Sequence, residues 1–167
     1  IVAHIPLYAA NRYGINALDS GLLLIAQGVA AIILSATATW ALRSTGYRRP
    51  LYVGGIVTAI GSLLLALSPH AGIPPYAWLA GSALLIGAGS GAINPASRNA
   101  GLQLAPKQSS TLAALRTMSR QIGTIITISI ATATVAGADD PGLRQAWIYA
   151  MAALLLVAAL PLVARVP

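Results

Sequence analysis

Ten Lys/Arg, three Asp and two His are the charged and titrating side chains that could do chemistry in this 167-residue chain, beside six Tyr and no Cys. The missing cysteines remove thiolate nucleophiles, thiolate metal sites and disulfides. His4 and His70 have no partner at ligand spacing, so the sequence offers no metal site. A membrane-embedded enzyme needs facing ionisable groups within its apolar segments. No Asp, Lys or His lies in the middle of any long apolar run here. The reading is therefore not an enzyme, and no cofactor is implied. The stretch GAGSGA (Gly87 to Ala92) fits a loose dinucleotide fingerprint, but that pattern requires a preceding strand and a following acid. The next acid is Asp139. Gly87 and Gly91 instead make one smooth helix face for close approach of a neighbour. Gly21 with Gly28, and Gly54 with Gly61, repeat the idea at a two-turn spacing. What remains is a set of polar side chains inside apolar runs: Gln27, Asn94, Gln121, and a helical stripe of Arg116, Arg120, Gly123, Thr127 and Thr134. Such groups avoid lipid, so they face protein or a water-filled path. Gln27, Asn94, Gln121 and Thr127 are the candidates for lining a substrate cavity.

The elements that must carry these residues follow from composition. The chain is 57% hydrophobic and 8% charged, with a mean hydropathy of +0.77; soluble domains carry about 25% charged residues. Uncharged runs reach the roughly 20 residues that a membrane-spanning helix needs, and they lack the two-residue alternation of a barrel strand. The fold class is an all-α integral membrane protein, a polytopic helical bundle forming one transmembrane domain over residues 1–167. Approximate spans are 20–42, 51–68, 76–97, 112–137 and 146–164. Residues 1–10 are too short to span and resemble the end of a helix whose start is missing. Residues 43–50 and 98–111 are the expected cytoplasmic loops, and the second is long enough for a short amphipathic helix on the membrane surface.

Alternating the spans puts Arg43, Arg48, Arg49, Arg98, Lys107, Arg116, Arg120 and Arg165 on one side with no acid. Arg12, Arg144 and all three acids lie on the other. That asymmetry is the bias of cytoplasmic loops, so the basic side is expected inside, in a multi-pass protein of the cell (inner) membrane. The net charge of +7 then serves the anionic leaflet rather than nucleic acid. All three Trp and six Tyr fall at expected helix ends, where amphipathic rings settle at the membrane interface.

Three stretches in this order resemble the C-terminal half of a major facilitator superfamily transporter, closest to the fourteen-helix drug:proton antiporter branch. The hinge ALRSTGYRRP is similar to the family's G-x-x-x-D-R-x-G-x-R-R-P through Gly46, Arg48, Arg49 and Pro50. Arg43 stands at the acid position, so the acid that helps latch the cytoplasmic gate in that family is absent from this hinge. The run from Asn94 to Ala131 resembles the tenth helix, loop and eleventh helix through Pro95, Pro106, Arg116, Gln121 and Gly123. Tyr8, Gly14, Gly21 and Gly28 match the seventh and eighth helices. The resemblance implies transport of small molecules by alternating access, with proton-coupled efflux of drugs or amphipathic compounds. It also implies a missing N-terminal half as partner, a small-molecule substrate, and a hinge and gate built from Arg43, Gly46, Arg48, Arg49, Arg116 and Arg120. The alternative, on the residues alone, is a small integral-membrane interaction or assembly protein without transport activity.

Overall fold

In a computed structural model, the described residues are 5–69, 72–104 and 106–163, with side chains left aside at 41–45 and 101–106. They form six α-helices and no strand: α1 (Ile5–Tyr13), α2 (Ala17–Thr45), α3 (Arg48–Ala66), α4 (Pro75–Leu104), α5 (Ser109–Val135) and α6 (Pro141–Val163). Among the described residues, four of these are long and apolar enough to cross a membrane, namely α2, α3, α4 and α6. The protein is a helical membrane bundle. At 27 residues α5 is long enough, but Arg116, Arg120, Gln121 and its Ser/Thr residues dilute its apolar content below the other four.

Helix α4 is the centre. It packs extensively against α2 on one side and α3 on the other, and α3 in turn packs against α6. Glycines make the two α4 contacts possible. A Cβ at Gly87 would strike the Gln27 carbonyl and one at Gly91 the Ala31 carbonyl, so α4 and α2 touch backbone to backbone and run parallel. Gly54 meets the Gly89 carbonyl and Ile93, while Gly61 meets Ile86, so α3 runs antiparallel to α4. Glycine is needed here because any side chain would hold the axes apart. Gly21 and Gly28 have nothing within 4 Å. Their spacing matches that of the others, but they lie off the face that meets α4, and the packing expected of them is corrected.

The expected loops shrink. Residues 43–50 were expected to form a loop, yet only Gly46 and Tyr47 leave the helices. Gly46 reverses the chain at φ +69, a left-handed conformation that glycine adopts without strain. Residues 98–111 also differ. Helix α4 continues through Pro95 to Leu104, and a single 3₁₀ turn at Pro106–Gln108 leads into α5. Good helix formers after Pro95 (Ala96, Arg98, Ala100) sustain the helix once it is nucleated by the long apolar run. At about 1.5 Å per residue the 30-residue α4 is about 45 Å long, well beyond the roughly 30 Å hydrocarbon layer. Its charged end therefore emerges into water.

The buried core gathers toward the opposite end. Ile5, Tyr8 and Ala9 of α1 pack with Leu23, Leu65, Leu79, Ala83, Ile86, Ala146 and Tyr149. Tyr8 and Tyr149 are buried in it, which corrects their expected place at the lipid interface. Trp40 and Trp147 are exposed, as an interfacial ring would be.

Candidate functional site

Polar side chains of α4 and α5 converge on one face of the bundle. Asn94 and Arg98 are one helical turn apart on α4, and Arg116, Thr117, Arg120, Gln121 and Thr124 come from successive turns of α5. With Ile125 they line a cavity of about 740 Å³. Arg116 ties the two helices together: its Nε donates to Ser97 Oγ at 3.1 Å and its Nη2 to Asn94 Oδ1 at 3.4 Å. Both acceptors are neutral, so the guanidinium is positioned without being neutralised. The like charges of Arg98 and Arg120 act on it as well. No acid is near. Asp19 sits in the first turn of α2, and Asp139 and Asp140 precede α6, all at the other end of the bundle.

The structure thus brings Asn94, Gln121, Arg116 and Arg120 to one cavity. It does not bring Gln27 or Thr127 there. Gln27 is buried where α2 crosses Gly87. Thr127 lines a separate groove of about 630 Å³ between α5 and α6, with Thr134, Arg144 and Trp147. Its hydroxyl donates to the Gly123 carbonyl of its own helix at 2.7 Å, as Thr117, Thr124 and Thr134 do one turn back along theirs. The threonine stripe is therefore largely self-satisfied.

Arg98 also lines the cavity, where the sequence marks it only as a charge of the expected loop. The signal is present: if the helix continues past Ser97, Arg98 falls four residues after Asn94 and on the same face. The hinge residues Arg48 and Arg49 occupy the first turn of α3, where Tyr47 makes no side-chain cap. Cations there oppose the helix dipole, so they do not serve helix stability. The Arg43 side chain lies outside the described residues.

A second polar cluster closes the other end. Arg12 donates to the Gly142 carbonyl at 3.3 Å and to Ser68 Oγ at 2.9 Å, lying 5.8 and 5.9 Å from the rings of Tyr8 and Tyr13. It joins the ends of α1, α3 and α6. Of the acids here, Asp140 uses its carboxylate at a helix start, and Asp19 contributes its backbone amide. Asn16 Oδ1 accepts the Asp19 amide, and Asp140 Oδ1 accepts the Leu143 amide, each at 2.8 Å. Asn16 and Asp140 are thus N-caps of α2 and α6.

Comparison with curated proteins and with solved structures gives no significant match. A family model described as Major Facilitator Superfamily matches residues 1–128, from α1 well into α5 and including every lining residue of the α4–α5 cavity. The chain belongs to the major facilitator superfamily, whose members move small molecules across membranes.

Proposed function

We propose that this chain is the C-terminal half of a proton-coupled efflux transporter and that its α4–α5 face is one wall of the substrate path. The observation that carries the reading is the cavity of about 740 Å³, lined by the polar side chains of Asn94, Arg98, Arg116, Arg120 and Gln121. Small-molecule sites are concave and hold a few converging polar groups. In transporters built from two halves they lie between the halves, and one half rocks against the other. Helix α5 suits that boundary. It packs only lightly on α4 and α6, and Ala131 is its one buried residue. Orientation follows the basic side, with the arginine-rich end in the cytoplasm of a cell membrane. Tight backbone contacts at Gly87 and Gly91 keep α2 and α4 together as a unit during the motion.

The coupling carboxylate lies in the companion half on this reading. The Asp140 carboxylate caps α6, Asp19 lies in the first turn of α2 at the end of the bundle, and Asp139 is exposed on a connection. The test uses cells producing the full-length protein and loaded with ethidium or with carboxyfluorescein. Energised extrusion of either dye is expected, abolished by a protonophore and reduced at least about tenfold by Asn94→Ala with Gln121→Ala, which removes two polar contacts from the path. Extrusion of neither dye, or extrusion that both changes leave intact, overturns the reading.

A further inference from the structure

We infer that Arg98, Arg116 and Arg120 form a binding site for an anion, a phosphate or carboxylate group held between α4 and α5. The inference stands whether or not the chain moves a substrate. Three observations carry it. First, the three guanidiniums converge rather than spread. All line the cavity of about 740 Å³, and Arg98 and Arg116 also line an adjoining one of about 400 Å³ with Ser97, Asn99 and Ser109. Second, Arg116 is already oriented by Ser97 and Asn94, two neutral acceptors, so its charge is held in place with no acidic partner among the described residues. Third, α5 begins without a side-chain cap at Gln108, and its first residue, Ser109, opens on the smaller cavity. The positive end of the α5 helix dipole adds to the field there.

Topology alone does not account for this arrangement. Orientation requires basic residues near one end of the spans, and Arg48, Arg49 and Lys107 already supply them there. It does not require Arg116 and Arg120 to sit two and three turns into α5 and turn toward Arg98. Clustering three like charges is unfavourable unless something offsets it. The guanidinium fork matches the paired oxygens of carboxylate and phosphate, and the cavity is within the size range of small-molecule sites. One anion bridging these arginines would also fasten α5 to α4, a helix pair that otherwise packs lightly.

The same chemistry comes from a phospholipid headgroup or from a soluble anion, and the experiment separates them. The full-length protein is placed in phosphatidylcholine nanodiscs and titrated with inorganic phosphate. In parallel, phosphatidylglycerol replaces part of the phosphatidylcholine with no phosphate present. Thermal unfolding and lipid retained in native mass spectra are the readouts. At least one probe is expected to raise the unfolding midpoint, with an effect that fades at high salt. Arg98→Gln with Arg120→Gln is expected to weaken that probe about tenfold. Arg98→Lys with Arg120→Lys keeps the charge and the helices, so it should fall in between. Arg48→Gln with Arg49→Gln, a charge loss of the same size at the same end, should leave the affinity unchanged. A response to phosphatidylglycerol alone assigns a headgroup, and a response to phosphate alone assigns a soluble anion. No response to either probe overturns the site. So does an equal loss in the two glutamine pairs, which would mean diffuse surface charge.

Discussion

Tyr8 shows how far residue type and position can mislead at the scale of one side chain. Its place near a helix end fits an interfacial ring, but the ring is fully buried and its hydroxyl donates to the Leu65 carbonyl at 2.7 Å. Trp78 Nε1 likewise donates to the Leu64 carbonyl at 2.8 Å. Both carbonyls belong to the last turn of α3, where no intrahelical donor remains. The Leu67 amide satisfies Leu63, so three successive carbonyls are closed by three different donors. Tyr8→Phe keeps the ring and removes the donor from a buried acceptor, a loss of about 1 kcal/mol. A lower thermal unfolding midpoint is expected for Tyr8→Phe, and no measurable shift for Trp40→Phe, whose ring is 78% exposed. An equal shift in the two would show that the Tyr8 hydroxyl contributes nothing. The sequence made these aromatics visible as helix-end residues. It could not make their partners visible, because Tyr8 and Leu65 lie on different helices and no local spacing encodes the pair. Arg116 differs in this respect: its helix-face position was readable from period alone, and only Ser97 and Asn94 as its acceptors were not.

At the scale of the element, the apolar runs marked where every helix would be, while their ends were set by side chains with no strong local signature. Polarity from Arg98 onward reads as loop, yet α4 carries these residues for two more turns, to Leu104. Hydropathy locates the part of a helix that lies in lipid and says little about how far the helix extends into water. That extension places Arg98 one turn from Asn94 and so completes the cavity. The glycines divide in the same way. Gly87 and Gly91 have the spacing of a contact face, and so do Gly21 and Gly28, but only the first pair meets a neighbour. Helix α2 presents the backbone at Gln27 and Ala31 to α4, and Gly28 is rotated about one residue away from that line. Gly91→Leu would drive a side chain into the Ala31 backbone, and overpacking of this kind costs about 1–3 kcal/mol. Gly28→Leu enters open space. Folded yield in the membrane is expected to fall for Gly91→Leu and to hold for Gly28→Leu. Equal yields would mean that the α2–α4 contact does not hold the bundle together.

At the scale of the whole molecule, side-chain bonds between helix ends fix which connections share a side. Arg12 reaches Ser68 and Gly142, so the α1–α2, α3–α4 and α5–α6 connections gather at one end. Arg116 reaches Ser97 and Asn94 at the opposite end, beside the α4–α5 connection. Parallel α2 and α4 with antiparallel α3 agree with that alternation. The acids are confined to the first end: Asp19 starts α2, and Asp139 and Asp140 precede α6. The alternation of spans read from the sequence thus has a physical counterpart in these contacts. The contacts leave one binary choice, which end faces the cytoplasm, and the charge bias proposes the basic one. Lys107 and Asp139 are exposed, one on a connection at each end. Because these 167 residues contain no cysteine, Lys107→Cys and Asp139→Cys can each be followed singly once any cysteines elsewhere in the full-length protein are replaced. An impermeant maleimide is expected to label Asp139→Cys in intact cells and Lys107→Cys only after lysis. Labelling in the reverse order would invert the molecule in the membrane. The arginine cavity would then open toward the outside, and only a ligand from that side could reach it.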